Sequence, residues 1–220
     1  MEYGNQLSDN EVAPDVTRQE AGQRVELPPR PVWVHAAFWF TLAFTALHLY
    51  WAVGGTWGLP PAAALRPAET QVANWLVSAI EVIGALWVLA LLHPAARRVP
   101  SWLLLAPLWT AAAVCVSHAI FGVITKSLYL GGMHEAVDFP AVPELSAAEV
   151  ADANHLSAVH DLLVFEPCFL IQGVVLAMAA WQYIRTPAHR RLWTWSLVLA
   201  VILIALFGAV LSFVDAKAAI

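Results

Sequence analysis

Four ionisable residues stand in stretches otherwise too apolar to suit them: His48, Glu81, His118 and Glu166. An imidazole or carboxyl in such a setting must be paired, protonated or hydrated, and in membranes these groups mark proton relays, ion paths and ligand sites. A carboxyl kept neutral by apolar surroundings suits a general acid, and a second carboxylate or an imidazole can receive the proton. Glu81 and Glu166 are the candidate acid and base, with His48, His118 and Asp161 as relay or tuning groups. Trp51, Asn74, Trp75, Ser78, Lys126 and His160 are candidate substrate contacts, the indoles as shields for developing positive charge. A structural reading stands beside each: histidines that lock helix packing, a Glu81–His48 or Glu81–His118 pair, and tryptophans that belong to interfacial belts.

Helical spacing groups these residues. Thr41, Thr45 and His48 fall at i, i+4, i+7, and so do Asn74, Ser78 and Glu81, then His118, Gly122 and Thr125. Asp161, Cys168 and Gln172 share a face, whereas Glu166 projects away from it on an ideal helix. Pro167 removes a backbone hydrogen bond beside Glu166, so a local kink there would redirect the side chain.

The elements that carry them are membrane spans. The chain has 220 residues, 60% hydrophobic and only 12% charged, against about 25% charged in a soluble domain. Five stretches reach the roughly 20 apolar residues that a bilayer core demands: about 33–53, 72–92, 102–124, 157–183 and 192–213. The expected fold is an all-α, polytopic helix bundle spanning the cell membrane, residues 31–215, behind a disordered tail at 1–30. Basic residues set the orientation. With the N-terminus in the cytoplasm, the inner segments hold Arg18, Arg24, Arg30, Arg97, Arg98, Arg185, Arg190 and Arg191, and the outer ones only Arg66, Lys126 and Lys217. Trp33, Trp102, Trp193 and Trp195 then mark the inner interface, and Trp51, Trp57 and Trp75 the outer. In this N-in, C-out arrangement four helices bring ionisable groups to the outer half of the membrane, and the fifth is packing. A long acidic outer loop, 125–156, contains Ser146-Ala147-Ala148-Glu149, a capping-box pattern that predicts a surface helix running towards the fourth span. That segment reads as a lid or as an ordinary solvated loop.

The first and third spans look alike. Each opens on a Pro and a Trp, carries a His towards its far end, and is followed by a Gly-Gly pair, Gly54-Gly55 and Gly131-Gly132. The second and fourth each carry a Glu. The pattern reads as a duplicated hairpin with a fifth helix added, in the manner of parallel membrane repeats, or as chance likeness between short apolar helices. Cys115 and Cys168 lie in apolar runs without metal-type spacing, and no Walker loop, dinucleotide fingerprint or GxSxG is present.

His48-Leu49-Tyr50-Trp51-Ala52-Val53-Gly54-Gly55, Thr125-Lys126-Ser127-Leu128-Tyr129-Leu130-Gly131-Gly132, Asp138-Phe139-Pro140 and Asp161-Leu162-Leu163-Val164-Phe165-Glu166-Pro167 resemble a bacterial, actinobacterial-type family of small polytopic membrane proteins of unknown function. The resemblance covers roughly residues 33–195 and implies a membrane protein but no reaction. A looser likeness, in helix count and membrane carboxylates, is to the emopamil-binding and sterol-isomerase group; it is architectural and carries no residue across.

Three functions compete. One is an enzyme that isomerises or cyclises a lipophilic, isoprenoid-type substrate by acid–base chemistry in an outward-facing polar cavity. Another is a small proton- or cation-coupled transporter or accessory subunit, working as a homodimer or within a membrane complex. The third is metal or haem ligation by His48 and His118. The expected partners are the bilayer and a lipophilic small molecule, with no nucleic acid and no resident cofactor or metal required by any motif.

Overall fold

The computed structural model describes residues 31–139, 145–184 and 186–218, apart from the side chains of 97 and 209–218. The tail at 1–30 and the loop prolines at 140 and 143 lie outside the described residues. Everything regular within them is helical: α1 (Val32–Ala52), α2 (Pro61–Ala64), α3 (Pro67–Ala90), α4 (Ser101–Leu130), α5 (Ala147–His160), α6 (Glu166–Trp181) and α7 (Pro187–Ala218). A five-residue π-helical segment, Asp161–Phe165, joins α5 to α6 without a break.

Prolines set the starts. Pro61, Pro67 and Pro187 sit in first helical turns, where a missing N–H costs nothing. Pro67 begins α3 five residues ahead of the apolar run that signals it, and the amphipathic turn 67–71 belongs to the same rod. Glycines set two of the ends. Gly54 and Gly132 take φ of 96° and 99°, a left-handed geometry that favours glycine. Around Gly54 the N–H of Gly55 donates to Tyr50 O (2.9 Å) and that of Gly54 to Trp51 O (3.0 Å). Around Gly132, Met133 donates to Leu128 O (3.0 Å) and Gly132 to Tyr129 O (3.0 Å), the same paired closure. At the start of α5 the Ser146 hydroxyl accepts from Glu149 N–H, and the Glu149 carboxylate accepts from Ser146 N–H (2.9 Å), completing a capping box.

Five continuous helical rods are long and apolar enough to cross a membrane: α1, α3, α4, the α5–α6 rod and α7 up to Gly208. The chain is an all-α bundle of membrane-spanning length. α1 packs on α3, α4 on α6, and α1 on α6, so that the two hairpins meet through α1 and α6; α7 lies on the outer side of α4. Trp109 Nε1 donates to Trp193 O (2.6 Å) and fastens α7 there.

The interior is divided along its length. One end carries Arg98, Arg190 and Arg191, and its core is mainly apolar: Val34 and Ala37 from α1, Val88 from α3, Leu105, Leu108 and Ala112 from α4, Leu176 and Ala179 from α6; the buried Tyr183 hydroxyl there donates to Leu91 O (3.2 Å). Buried polar residues fill the other half, the end of the 53–66 and 131–139 segments: Thr41, Thr45, His48, Asn74, Ser78, Glu81, Ser117, Ser157, Glu166 and Gln172. A short bridge closes that end, where Ala62 N–H in α2 donates to Ser157 Oγ in α5 (2.8 Å).

Candidate functional site

The polar half contains two clusters, one per hairpin. In the first, Asn74 Nδ2 donates to Thr70 O (2.7 Å), which fixes the orientation of the amide. Asn74 Oδ1 therefore faces His48 Nδ1 at 2.6 Å, and only a protonated Nδ1 can supply that hydrogen bond. A neutral His48 is left with its lone pair on Nε2, directed at Glu81 Oε1, 3.9 Å away. Holding one ring nitrogen so that the other is free for chemistry is common at metal and catalytic histidines. Thr45 and Gln172 also approach the Glu81 carboxyl. Within the described residues, His48 Nε2, Glu81 Oε2, Ser78 Oγ, Thr41 Oγ1 and Gln172 Oε1 have no hydrogen-bond partner.

The second cluster is ionic. Lys126 Nζ donates to Glu166 Oε1 (2.5 Å) and lies 3.4 Å from Asp161 Oδ2. His118 Nε2 stands 3.9 Å from Glu166 Oε2. Glu166 is buried to 1% exposure, and Gly122 makes room for it: a Cβ at that position would overlap the carboxylate. The π-helical turn explains how Asp161 and Glu166 reach one lysine. Five residues along an α-helix turn the side chain by roughly 140° from alignment, at 3.6 residues per turn. The wider turn of 161–165 takes up much of that angle, and it ends at Pro167, which has no N–H to give the carbonyl of Leu163.

Aromatic rings join the clusters. Phe44 packs edge-on against His48 (4.6 Å between centroids) and against Phe169 (5.5 Å), and Phe169 lies 4.1 Å from the His118 ring. Trp51 touches His48 and Phe165, each at 5.3 Å, while its Nε1 donates to Trp57 O (2.9 Å). His160 packs on Phe165 with Nδ1 buried and unpartnered. Trp75 stands apart, 52% exposed on the outer face of α3. His118 is also open, with half of its side chain uncovered.

The structure pairs the hairpins in a register that the sequence comparison does not give. Aligning the two left-handed glycines, Gly54 and Gly132, sets His48 opposite Lys126, each six residues ahead of its glycine and each facing a glutamate of the next long helix. Trp51 and Tyr129 are then equivalent, and both are buried. His118 belongs to neither position and adds a second contact to Glu166. Phe44, Phe169 and Gln172 complete the site without an obvious sequence signal, apart from their helical spacing to His48, Glu166 and Cys168. His48 and His118 lie on opposite sides of the Phe44–Phe169 pair, and no group of three His, Cys, Asp or Glu side chains among the described residues is arranged to hold a metal.

Fold and site together define a multi-pass membrane protein whose buried half carries two carboxylate–base clusters. Residues 41–176 match the model of a family described as "Protein of unknown function (DUF3995)", and the chain belongs to that family. The matched segment runs from Thr41 past Gln172 and so contains both clusters, while α7 falls outside it. No curated protein and no solved structure matches the chain.

Proposed function

We propose that this protein is an intramembrane acid–base enzyme that moves a proton on a lipophilic substrate, with isomerisation or cyclisation as the reaction class. The observation that carries the proposal is the His48–Glu81 contact, in which Asn74 imposes the tautomer that leaves a basic nitrogen facing a buried carboxyl. Glu81 is the proton donor and His48 the receiving base. Glu166, held by Lys126 and flanked by His118 and Asp161, supplies the second donor–acceptor pair that a proton shift between two carbons requires. Phe44, Phe169 and Trp51 form an aromatic bridge between them, and aromatic rings favour a developing positive charge. The distribution of basic residues supports a reading with the arginine-rich end in the cytoplasm and the clusters in the outer half of the membrane.

The test is incubation of purified protein with a lipid extract in deuterated water, followed by mass spectrometry. A lipid that gains deuterium, or converts to an isomer of equal mass, with wild type but not with folded Glu81→Gln or Glu166→Gln supports the reading. If no lipid is altered, it fails. The competing reading, a proton-coupled carrier, draws on the Lys126–Asp161–Glu166 ion cluster; uptake of an unaltered solute into proteoliposomes driven by a pH gradient would establish it instead.

A further inference from the structure

We infer that the His48–Glu81 cluster is the head-group subsite for a long-chain or isoprenoid alcohol, which reaches it sideways from the bilayer between α3 and α4. The inference rests on the lipophilic-substrate reading above and names the substrate class.

Three helices carry unpartnered polar atoms into the same buried half of the bundle: Thr41 Oγ1 and His48 Nε2 from α1, Ser78 Oγ and Glu81 Oε2 from α3, and Gln172 Oε1 from α6. All five residues are more than nine-tenths buried. A buried polar atom without a partner is costly, and native structures leave few of them. The 3.9 Å between His48 Nε2 and Glu81 Oε1 is too long for a hydrogen bond, yet one oxygen placed to the side can lie about 2.8 Å from both. The chemistry of that oxygen follows from its neighbours. His48 Nε2 needs a donor, because Asn74 holds the ring proton on Nδ1. The Ser78 hydroxyl, one helical turn from Glu81, needs an acceptor. An ammonium group offers no acceptor, and a carboxylate offers no donor for His48 Nε2. A hydroxyl offers both.

The route follows from the way the helices meet. α3 packs extensively on α1 and sparsely on α4. A bond between α3 and α4, from Trp87 Nε1 to Leu104 O (3.0 Å), lies at the arginine-rich end. Towards the loop end α4 presents Val114, 50% exposed, and the half-uncovered His118 ring. Cys115, between them, is within electrostatic reach of Glu81. An apolar tail can lie along this seam in lipid while the head turns inward to the cluster.

Thermal unfolding of the purified full chain in mild detergent tests this, with farnesol and oleyl alcohol as probes and their parent hydrocarbons as controls. We expect both alcohols, or one, to raise Tm saturably and the hydrocarbons not to. Ser78→Ala should raise the ligand-free Tm, by about 2–4 °C, while weakening alcohol binding about tenfold. Val114→Trp should fill the seam and abolish the alcohol shift, whereas Leu203→Trp, on the exposed face of α7, should keep it. Equal effects of alcohols and hydrocarbons would overturn the subsite and leave water as its occupant; a full shift in Val114→Trp would overturn the sideways route. Alcohol binding without deuterium transfer would defeat the enzyme reading alone, and deuterium transfer without preference for alcohols would defeat this inference alone.

Discussion

Asn74 accepts a 2.6 Å hydrogen bond from His48 Nδ1 and so decides which nitrogen of that ring is available to Glu81. Replacing Asn74 with Leu should release the ring and allow the proton to move to Nε2. Nitrogen NMR of labelled histidine should report the Nδ1–H form in wild type and a mixture in the variant. Loss of two buried hydrogen bonds should also cost about 1–3 kcal/mol of stability. An unchanged tautomer in the variant would mean that Asn74 does not set it.

Lys126 is shared by two carboxylates, one of them almost fully buried. Lys126→Met should destabilise the protein by about 3 kcal/mol, because it leaves an uncompensated buried charge. Adding Glu166→Gln should restore most of the loss, and a double-mutant cycle measures the coupling. Strict additivity of the two substitutions would contradict the pairing.

Gly122 faces the Glu166 carboxylate with no space for a side chain. Gly122→Ala should therefore lower Tm by several degrees, at about 2–4 °C per kcal/mol for a chain of this size, even though alanine is the better helix former. A rise in Tm would show that Glu166 can lie elsewhere at no cost.

Pro167 ends the π-helical turn that brings Glu166 round to Lys126. Pro167→Ala should allow 161–166 to wind as a regular α-helix and carry the carboxyl away. Hydrogen exchange should slow over that segment, and Lys126→Met should cost less in the Pro167→Ala background. Unaltered exchange would assign the wide turn to packing and not to the proline.

Membrane orientation can be read directly. In a cysteine-free background, Trp57→Cys should react with an impermeant thiol reagent on intact cells and Arg98→Cys only after permeabilisation. The opposite pattern would invert the topology.

The bundle was legible because hydropathy and length alone define a spanning helix, and because the polar stripes Thr41–Thr45–His48 and Asn74–Ser78–Glu81 follow helical spacing; all six residues are buried together. Ser146-x-x-Glu149 announced its helix for the same reason: a cap is a local interaction. What escaped the sequence is non-local or departs from ideal winding. Glu166 looks misplaced until five residues wind as a π-helix, and a proline announces a disturbance but not its direction. The partner of Lys126 could not be read from a lysine that follows Thr125 near a helix end. Aromatic residues are so common in this chain that nothing distinguished Phe44 and Phe169 as the link between the clusters. Trp75, which looked equivalent to Trp51, points outward because the two lie at different angles on their helices.

From Glu81 to Leu91 the chain runs ten residues, about 15 Å at 1.5 Å per residue, into a core built mainly of apolar side chains. That plug insulates the clusters from the arginine-rich face. In the acid–base reading proposed above, protons would reach Glu81 and Glu166 from the loop side alone. Such an enzyme would draw on and return protons to a single pool, so its turnover would be independent of the membrane potential.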